Sequence, residues 1–521
     1  MGTRFKIRER LGIRRLQNAL RKIFGRFSRR YPKTANFLGV LNRRKKPIRA
    51  LFHVCLHIVG FTFSIEALMQ SRTGQGSVAW ILSLNFIPIL AVPAWLAFGD
   101  SHLDNYSTVR QAGLEEIRPI AEALIENRNK NLTEAADDEI PENLEILEKL
   151  ASLPVMRGNK AELLVDGKNT FESINKSISE AEDYILIQYY ILRADETGTE
   201  LKDLLVERAK AGVKIRLLVD NYGSFGLPDS YLREMMDAGI EVEQFMDLSG
   251  EANRFQINFR NHRKIVVVDG KTGFVGGHNV GDEYVGKHPS LTPWRDSHMK
   301  LTGPVVKTLQ VPFVEDWYWA TRKIPDGLDW EISEEDFVGS MEALFLASGP
   351  ADPMDTCALF FLTMINNAED RIWIATPYFV PNEKLVSALQ LAAIRGVDVR
   401  VIMPGLSDSR LVELTSYSYL DELGKTGVKM YRYQEGFMHQ KVALVDNTIS
   451  AIGSANFDNR SFHLNFEITG IVHDEDFNNE VAEMLQRDID NSEPIEAEAY
   501  QDKPFWYRVG VRTARLFAPI Q

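Results

Sequence analysis

The sequence predicts an α/β protein: two copies of one unit, with mostly parallel sheets flanked by helices and related by a pseudo-twofold axis, behind an N-terminal transmembrane helical hairpin. Three observations predict this. Two long apolar stretches lie before residue 100, the chain beyond them repeats itself, and each repeat carries one His-x-Lys-x-x-x-x-Asp pattern.

At 521 residues the chain is too long for one ordinary core. Its 45% hydrophobic and 25% charged content is that of a globular protein. The only cysteines, Cys55 and Cys357, give no disulfide framework and exclude a cysteine zinc site. The net charge of −12 is unevenly spread: the first 50 residues hold 17 Lys or Arg against one acid, Glu9. Within this basic segment (1–47), Phe5, Ile7, Leu11, Ile13, Leu16, Leu20 and Phe24 recur at roughly helical spacing among the bases. That pattern predicts an amphipathic helix on an anionic membrane surface.

Residues 48–100 are the predicted hairpin. The stronger span is Val78–Phe98, uncharged, long enough to cross a bilayer, and with Trp80 and Trp95 near its ends. The weaker span, about 50–69, carries His53, His57 and Glu66. Arg43, Arg44, Lys45, Lys46 and Arg49 precede it, which by the positive-inside rule puts the N-terminus in the cytoplasm and, after two spans, the body as well. Residues 101–155 read as a polar, helical connector.

The repeat spans 156–335 and 336–495, with an amphipathic tail at 496–521. Ala-Glu-Asp at 181–183 and again at 368–370 leads into an apolar run, and AGVKIRLLVD (211–220) matches RGVDVRVIMP (395–404). Helix-patterned stretches lie between the matched pairs, so each copy reads strand, helix, strand, helix, strand. The runs ILIQYYIL and IRLLVD are apolar on both faces, as buried parallel strands are.

The chemistry recurs in both copies. His262, Lys264 and Asp269 match His439, Lys441 and Asp446, and each set is followed at equal distance by an asparagine, Asn279 or Asn456. In a strand, His and Lys two residues apart share a face. A His beside an ammonium is a poor metal ligand but suits a phosphate, to which Lys offers charge and Asn an uncharged donor; no metal or other cofactor is required. Asp269 and Asp446 precede Gly270 and Asn447, hairpin-turn signals, and so read more as supports than as proton carriers. Each His also needs a carboxylate to fix its tautomer. The first copy offers Asp296 and the second Glu467. Near the motifs also lie His278, His288, His298 and His463.

The duplicated motif resembles that of the phospholipase D superfamily. GGHNVGDEY (276–284), PWRDSH (293–298), TPYFVP (376–381), GSANFDNRSFHLNFE (453–467) and RTARLFAP (512–519) resemble the bacterial cardiolipin synthases within it. The resemblance implies a phosphatidyltransferase of the bacterial inner membrane with phosphatidylglycerol as substrate. One His, by analogy His262, attacks a phosphatidylglycerol and becomes phosphatidyl-histidine. The other, His439, protonates the departing glycerol and then deprotonates the hydroxyl of a second phosphatidylglycerol. The resemblance also adds Gly277 and Ser454 to Asn279 and Asn456 as substrate-binding positions. The alternative within the superfamily is a phospholipase D, with water as acceptor. A nuclease is disfavoured because the body is acidic, so no nucleic-acid partner is expected.

Overall fold

A computed structural model describes residues 51–69, 74–99, parts of 117–126, 141–245, 258–496 and 501–521. The basic segment 1–47 and most of the connector lie outside the described residues. The chain divides into two compact units, Met1–Ser101 and His102–Gln521.

In the first unit, α1 (Leu51–Met69) is one continuous helix, long and apolar enough to cross a membrane. The stretch expected to be the stronger span is instead two helices, α2 (Gly74–Phe86) and α3 (Pro88–Phe98). The break falls at Ile87, because Pro88 has no N–H to continue the ladder. The polar residues of the apolar stretches satisfy one another. Asn85 donates to Ser64 Oγ at 2.7 Å, and Trp95 Nε1 to Glu66 at 3.3 Å.

In the second unit, α4 (Glu142–Ala151) leads into the first copy. That copy comprises β1 (Met156–Val165), α5 (Asp166–Ser179), β2 (Tyr184–Tyr189), α6 (Glu196–Lys210), β3 (Lys214–Asp220), α7 (Asp229–Asp237), β4 (Glu241–Phe245), β5 (Arg260–Asn261), β6 (Ile265–Val268), β7 (Thr272–Gly276), β8 (Trp294–Arg295), β9 (Ser297–Thr302) and α8 (Val305–Thr321). The second comprises β10 (Met341–Ser348), α9 (Thr356–Asn367), β11 (Arg371–Ala375), α10 (Glu383–Ile394), β12 (Asp398–Pro404), α11 (Arg410–Gly424), β13 (Lys429–Tyr433), β14 (Phe437–Met438), β15 (Val442–Val445), β16 (Ile449–Gly453), α12 (Asn459–His463), β17 (Asn465–His473) and α13 (Glu475–Asp490). Strand β18 (Ser492–Pro494) and helix α14 (Phe505–Arg515) close the chain.

The repeat is visible in the strand order. The first sheet runs β4-β3-β2-β6-β7-β9-β1 and the second β13-β12-β11-β15-β16-β17-β10, the same sequence of equivalents. The expectation of mostly parallel sheets is corrected: within these two strand orders only the outer trios β2-β3-β4 and β11-β12-β13 are parallel, and the remaining neighbours are antiparallel. The cause is the turn at each motif Asp. Asp269-Gly270 and Asp446-Asn447 join adjacent strands tightly, which only an antiparallel pair permits. The helices α6 and α10 are crossovers between parallel strands, each started by a side-chain cap, Asp195 on Gly198 N and Asn382 on Leu385 N.

Strand β1 stitches the sheets together, pairing with β10 at its start and with β9 thereafter. Beyond it the sheets face each other. A Cβ on Gly470 of β17 would come within 2.9 Å of Met299 Sδ of β9, and Ile265, Val267, Met299, Phe345, Ile468 and Ile471 share one core. A second apolar layer covers the outer face of the first sheet, where Ile174 and Leu201 of the helices meet Ile185, Ile187 and Ile215. The interface between the sheets is where the two motifs meet.

Candidate active site

Each His-x-Lys triplet lies between two strands rather than on one, which corrects the expectation of a regular strand. Strand β5 runs parallel to β17 of the other copy, and the His262 N–H donates to Phe466 O at 2.8 Å. The chain then leaves for its own sheet as β6. The second copy does the same in reverse. Strand β14 runs parallel to β8, and His439 N–H donates to Arg295 O at 2.7 Å. Both triplets are thus held by the opposite half.

The carboxylates cross over in the same way. The sequence offered one per copy, but each serves the other copy's histidine. His262 Nδ1 lies 2.9 Å from Glu467 Oε2 and 3.1 Å from Oε1, and His439 Nδ1 lies 2.8 Å from Asp296 Oδ2. Glu467 is one residue beyond the end of the β5 pairing, and Asp296 one residue beyond the end of the β8 pairing, so the exchanged strands carry the carboxylates across. With Nδ1–H donating to a carboxylate, each Nε2 is left with a lone pair.

Glu467 is held from all sides. Ser454 Oγ donates at 2.5 Å, Ser461 Oγ at 2.8 Å and Asn465 Nδ2 at 3.0 Å. Burial alone pushes its carboxyl up, but His262, Lys264 and these donors outweigh it and the net shift is down. Asp296 behaves alike: burial pushes up, while Lys441, His278 and His439 hold it well below the usual carboxylate range. Burial moves the histidines the other way. It pushes His262 down to about 4, against the pull of Glu467, and His439 down to about 3, with Lys441 adding to the fall. Both imidazoles are therefore neutral at neutral pH. Lys264 and Lys441 are wholly buried beneath them, each donating to the carbonyl of its own motif His. Burial lowers both, Lys441 to about 8.

The histidines open on one cavity of about 380 Å³, also lined by Asn279 and Asn456. Asn279 Oδ1 accepts from Ile191 N at 3.2 Å, and its Nδ2 donates to Tyr284 OH at 3.2 Å. Aromatic rings flank the imidazoles: Tyr190 at 5.0 Å from His262, Trp294 at 5.1 Å from His439.

Four expected site residues lie elsewhere. Asp269 accepts from the backbone N–H groups of Glu182, Asp183 and Tyr184 at 2.8–2.9 Å, and Asp446 from those of Glu369, Asp370 and Arg371 at 2.8–3.2 Å. The repeated Ala-Glu-Asp segments are thus the partners of the repeated motif Asp. Five residues of extended chain, about 16 Å, separate each Asp from its motif Lys, too far to carry a proton to the histidines. Gly277 and Ser454, expected on the substrate, sit behind the carboxylates. A Cβ on Gly277 would lie 2.1 Å from Asp296 Oδ1, and Ser454 binds Glu467. Of the other histidines, His288 lines the cavity, His278 and His298 are buried beside each other, and His463 faces Asp355 at 3.2 Å.

Sequence reasoning missed Ser461, Asn465, Tyr190 and Trp294, although three of them lie in the quoted stretches GSANFDNRSFHLNFE and PWRDSH. It also missed the buried Arg263–Asp316 pair at 2.8 Å, which Asn261 and Gln188 complete.

The description "Cardiolipin synthase, PLD-like domain" matches residues 174–292 and 361–489, one match around each motif. Cardiolipin synthase A of Pseudomonas putida is 45% identical over 468 residues, 89% of this chain and 96% of that protein. The chain belongs to the phospholipase D-like cardiolipin synthase family. The family's Pseudomonas fluorescens member, also a cardiolipin synthase A, is 46% identical over 466 residues, 89% of this chain and 97% of the relative. The fold is shared more widely: a Haemophilus influenzae phosphatidylserine synthase superposes with a TM-score of 0.58 at 13% identity, covering 73% of this chain and all of the other.

Proposed function

We propose that the protein, a phosphatidyltransferase by family, moves a phosphatidyl group from one phosphatidylglycerol to another, giving cardiolipin and glycerol. One observation carries this reading. Two neutral histidines from opposite halves face one cavity, each with Nδ1 on a buried carboxylate and Nε2 free. Such an imidazole is a nucleophile or a base without first losing a proton.

The steps follow from that arrangement. One Nε2 attacks phosphorus, and the P–O bond to the headgroup glycerol breaks as the other histidine supplies a proton to the leaving oxygen. The arriving phosphodiester, an anion, favours the imidazolium needed there. Lys264, Lys441, Asn279 and Asn456 stabilise charge on the phosphoryl oxygens. The hydroxyl of the second lipid then gives its proton to the second histidine and attacks, and the P–N bond breaks. Asp296 and Glu467 orient the rings throughout. The histidines titrate as a coupled pair.

The membrane supplies both substrates. We read α1 and the α2–α3 segment as a hairpin in the bacterial inner membrane, with residues 156–335 and 336–495 as catalytic domains on the cytoplasmic side. The tail supports an anionic lipid surface as partner. Helix α14 exposes Phe505, Trp506 and Val509 beside Arg508 and Arg512 along an open groove.

Reconstitution with phosphatidylglycerol as the only lipid tests the reading. Cardiolipin and glycerol are expected one for one, and neither from His262→Ala or His439→Ala. Phosphatidic acid with glycerol would reassign the protein as a phospholipase D.

A further inference from the structure

The cavity repeats its chemistry at the histidines but not at its ends. Arg260 lies two residues before His262, and the matching position before His439 is Phe437. Asn465, two before Glu467, is matched by Trp294, two before Asp296. Arg460, four after Asn456, is matched by Glu283, four after Asn279. One end is therefore cationic and the other aromatic and acidic, on a scaffold whose strand order and carboxylate exchange are otherwise the same.

The direct partners of the cations are neutral groups, and the carboxylates of Asp220 and Asp458 act on Arg260 and Arg460 from beyond ion-pair distance. Arg260 lies over the Tyr222 ring at 3.6 Å and donates to Phe259 O at 2.6 Å. Arg460 donates to Asn258 Oδ1 at 3.2 Å and to Asn258 O at 2.6 Å. Among the described residues, neither forms an ion pair with a carboxylate. Both line the cavity that holds the histidines, and Arg260 is 9% exposed. Burial and the charge of Arg260 hold the Arg460 guanidinium below its ordinary value. Two like charges held together in a partly dry wall are unfavourable until an anion joins them, and a guanidinium matches phosphate geometry with paired donors.

The reacting phosphate already has its cations, the two buried lysines. Joining two phosphatidylglycerols brings a second phosphodiester, three carbons from the attacking hydroxyl. We propose that Arg260 and Arg460 form a second anion subsite that takes the phosphodiester of the acceptor lipid while its glycerol arm reaches the histidines. This rests on the transfer reading above. It accounts for choice among acceptors: free glycerol and water carry no phosphate to hold at that end.

Two reactions of the full-length protein in phosphatidylglycerol vesicles separate the roles. Exchange of labelled glycerol into phosphatidylglycerol needs the donor step and its reversal, with no lipid acceptor. Cardiolipin formation needs the acceptor lipid as well. In Arg260→Gln and Arg460→Gln, cardiolipin formation is expected to fall roughly tenfold or more beyond any fall in exchange, with a raised apparent KM for phosphatidylglycerol. Arg460→Lys, keeping the charge, is expected to recover part of it, and residual exchange reports that the variants are folded. Parallel loss of both reactions, or loss of neither, would overturn the subsite while leaving transfer standing. A wild-type protein that performs neither reaction would overturn the transfer reading, and the subsite with it.

Discussion

Glu467 of the second half receives the Nδ1 proton of His262 of the first, at 2.9 Å, while Asp296 of the first half holds His439 of the second at 2.8 Å. Neither half can build a complete His–carboxylate pair alone.

This crossing predicts which residues couple. In a double-mutant cycle on stability, Glu467→Gln with His262→Gln is expected to show an interaction of about 1–3 kcal/mol, and Glu467→Gln with His439→Gln little. Urea denaturation of the four proteins in each cycle measures it. The opposite ranking would mean that each carboxylate serves its own copy. For activity, Glu467→Gln and Asp296→Asn are each expected to lower kcat by about 10²–10⁴, since a mis-set tautomer disables an imidazole whose position is intact.

The motif aspartates are predicted to matter for folding more than for chemistry. Asp269→Ala and Asp446→Ala each strand three backbone N–H groups and should cost about 2–3 kcal/mol. Asn retains one acceptor oxygen and tolerates the left-handed backbone at these positions, φ 53° and 49°, so Asp269→Asn should lose less. Thermal melts set against kcat per folded molecule check this; a variant of wild-type stability without activity would return the aspartates to the chemistry.

Gly277→Ala places a Cβ 2.1 Å from Asp296 Oδ1, where nothing but the carboxylate can yield. Asp296 must move and His439 loses its partner. A kcat loss of roughly 100-fold is expected. The equivalent Ser454→Ala removes only one of several donors to Glu467, with an expected cost of about 1 kcal/mol in stability and a smaller loss of rate. Equal effects of the two substitutions on kcat would contradict this.

The buried histidines predict acid sensitivity. Their values fall from an ordinary 6.5 to about 4 for His262 and about 3 for His439, so below pH 6.5 the unfolded chain binds protons that the folded one does not. Their contribution is complete above pH 6.5 and is lost as pH falls toward 4, by about 2–3 kcal/mol for each. Asp458 has the opposite sign: burial raises it to about 6, so its contribution is complete below its ordinary 3.8 and is lost as pH rises through 6. Accordingly Asp458→Asn should raise the melting temperature at pH 8 but not at pH 4, while His439→Asn should flatten the acid limb. Calorimetry across pH 4–8 reads both.

Much of this was legible in the sequence, because repetition and spacing survive translation into structure. The paired motifs, the Ala-Glu-Asp segments and the strands Lys214–Asp220 and Asp398–Pro404 were all visible as matched strings. The crossed carboxylates were not, because the pairings that create them are two residues long and leave no periodicity to read. The mostly parallel sheet failed for a related reason. The apolar runs describe burial on both faces, which the central antiparallel strands share. The hairpin signals at Asp269-Gly270 and Asp446-Asn447 carried the contrary information. In the apolar N-terminal region, hydropathy found both stretches, but the helix break at Ile87 reversed their order of strength.

The central claim is that one cavity histidine carries the phosphatidyl group between two lipids. Rapid quenching of the full-length protein in denaturant at neutral pH, where the P–N bond and the acyl esters both survive, during turnover with acyl-labelled phosphatidylglycerol, followed by peptide mass spectrometry, tests it most directly. The account predicts label on the peptide of either His262 or His439, discharged as cardiolipin when unlabelled phosphatidylglycerol is added before the quench. Cardiolipin formed with label on neither histidine would contradict it.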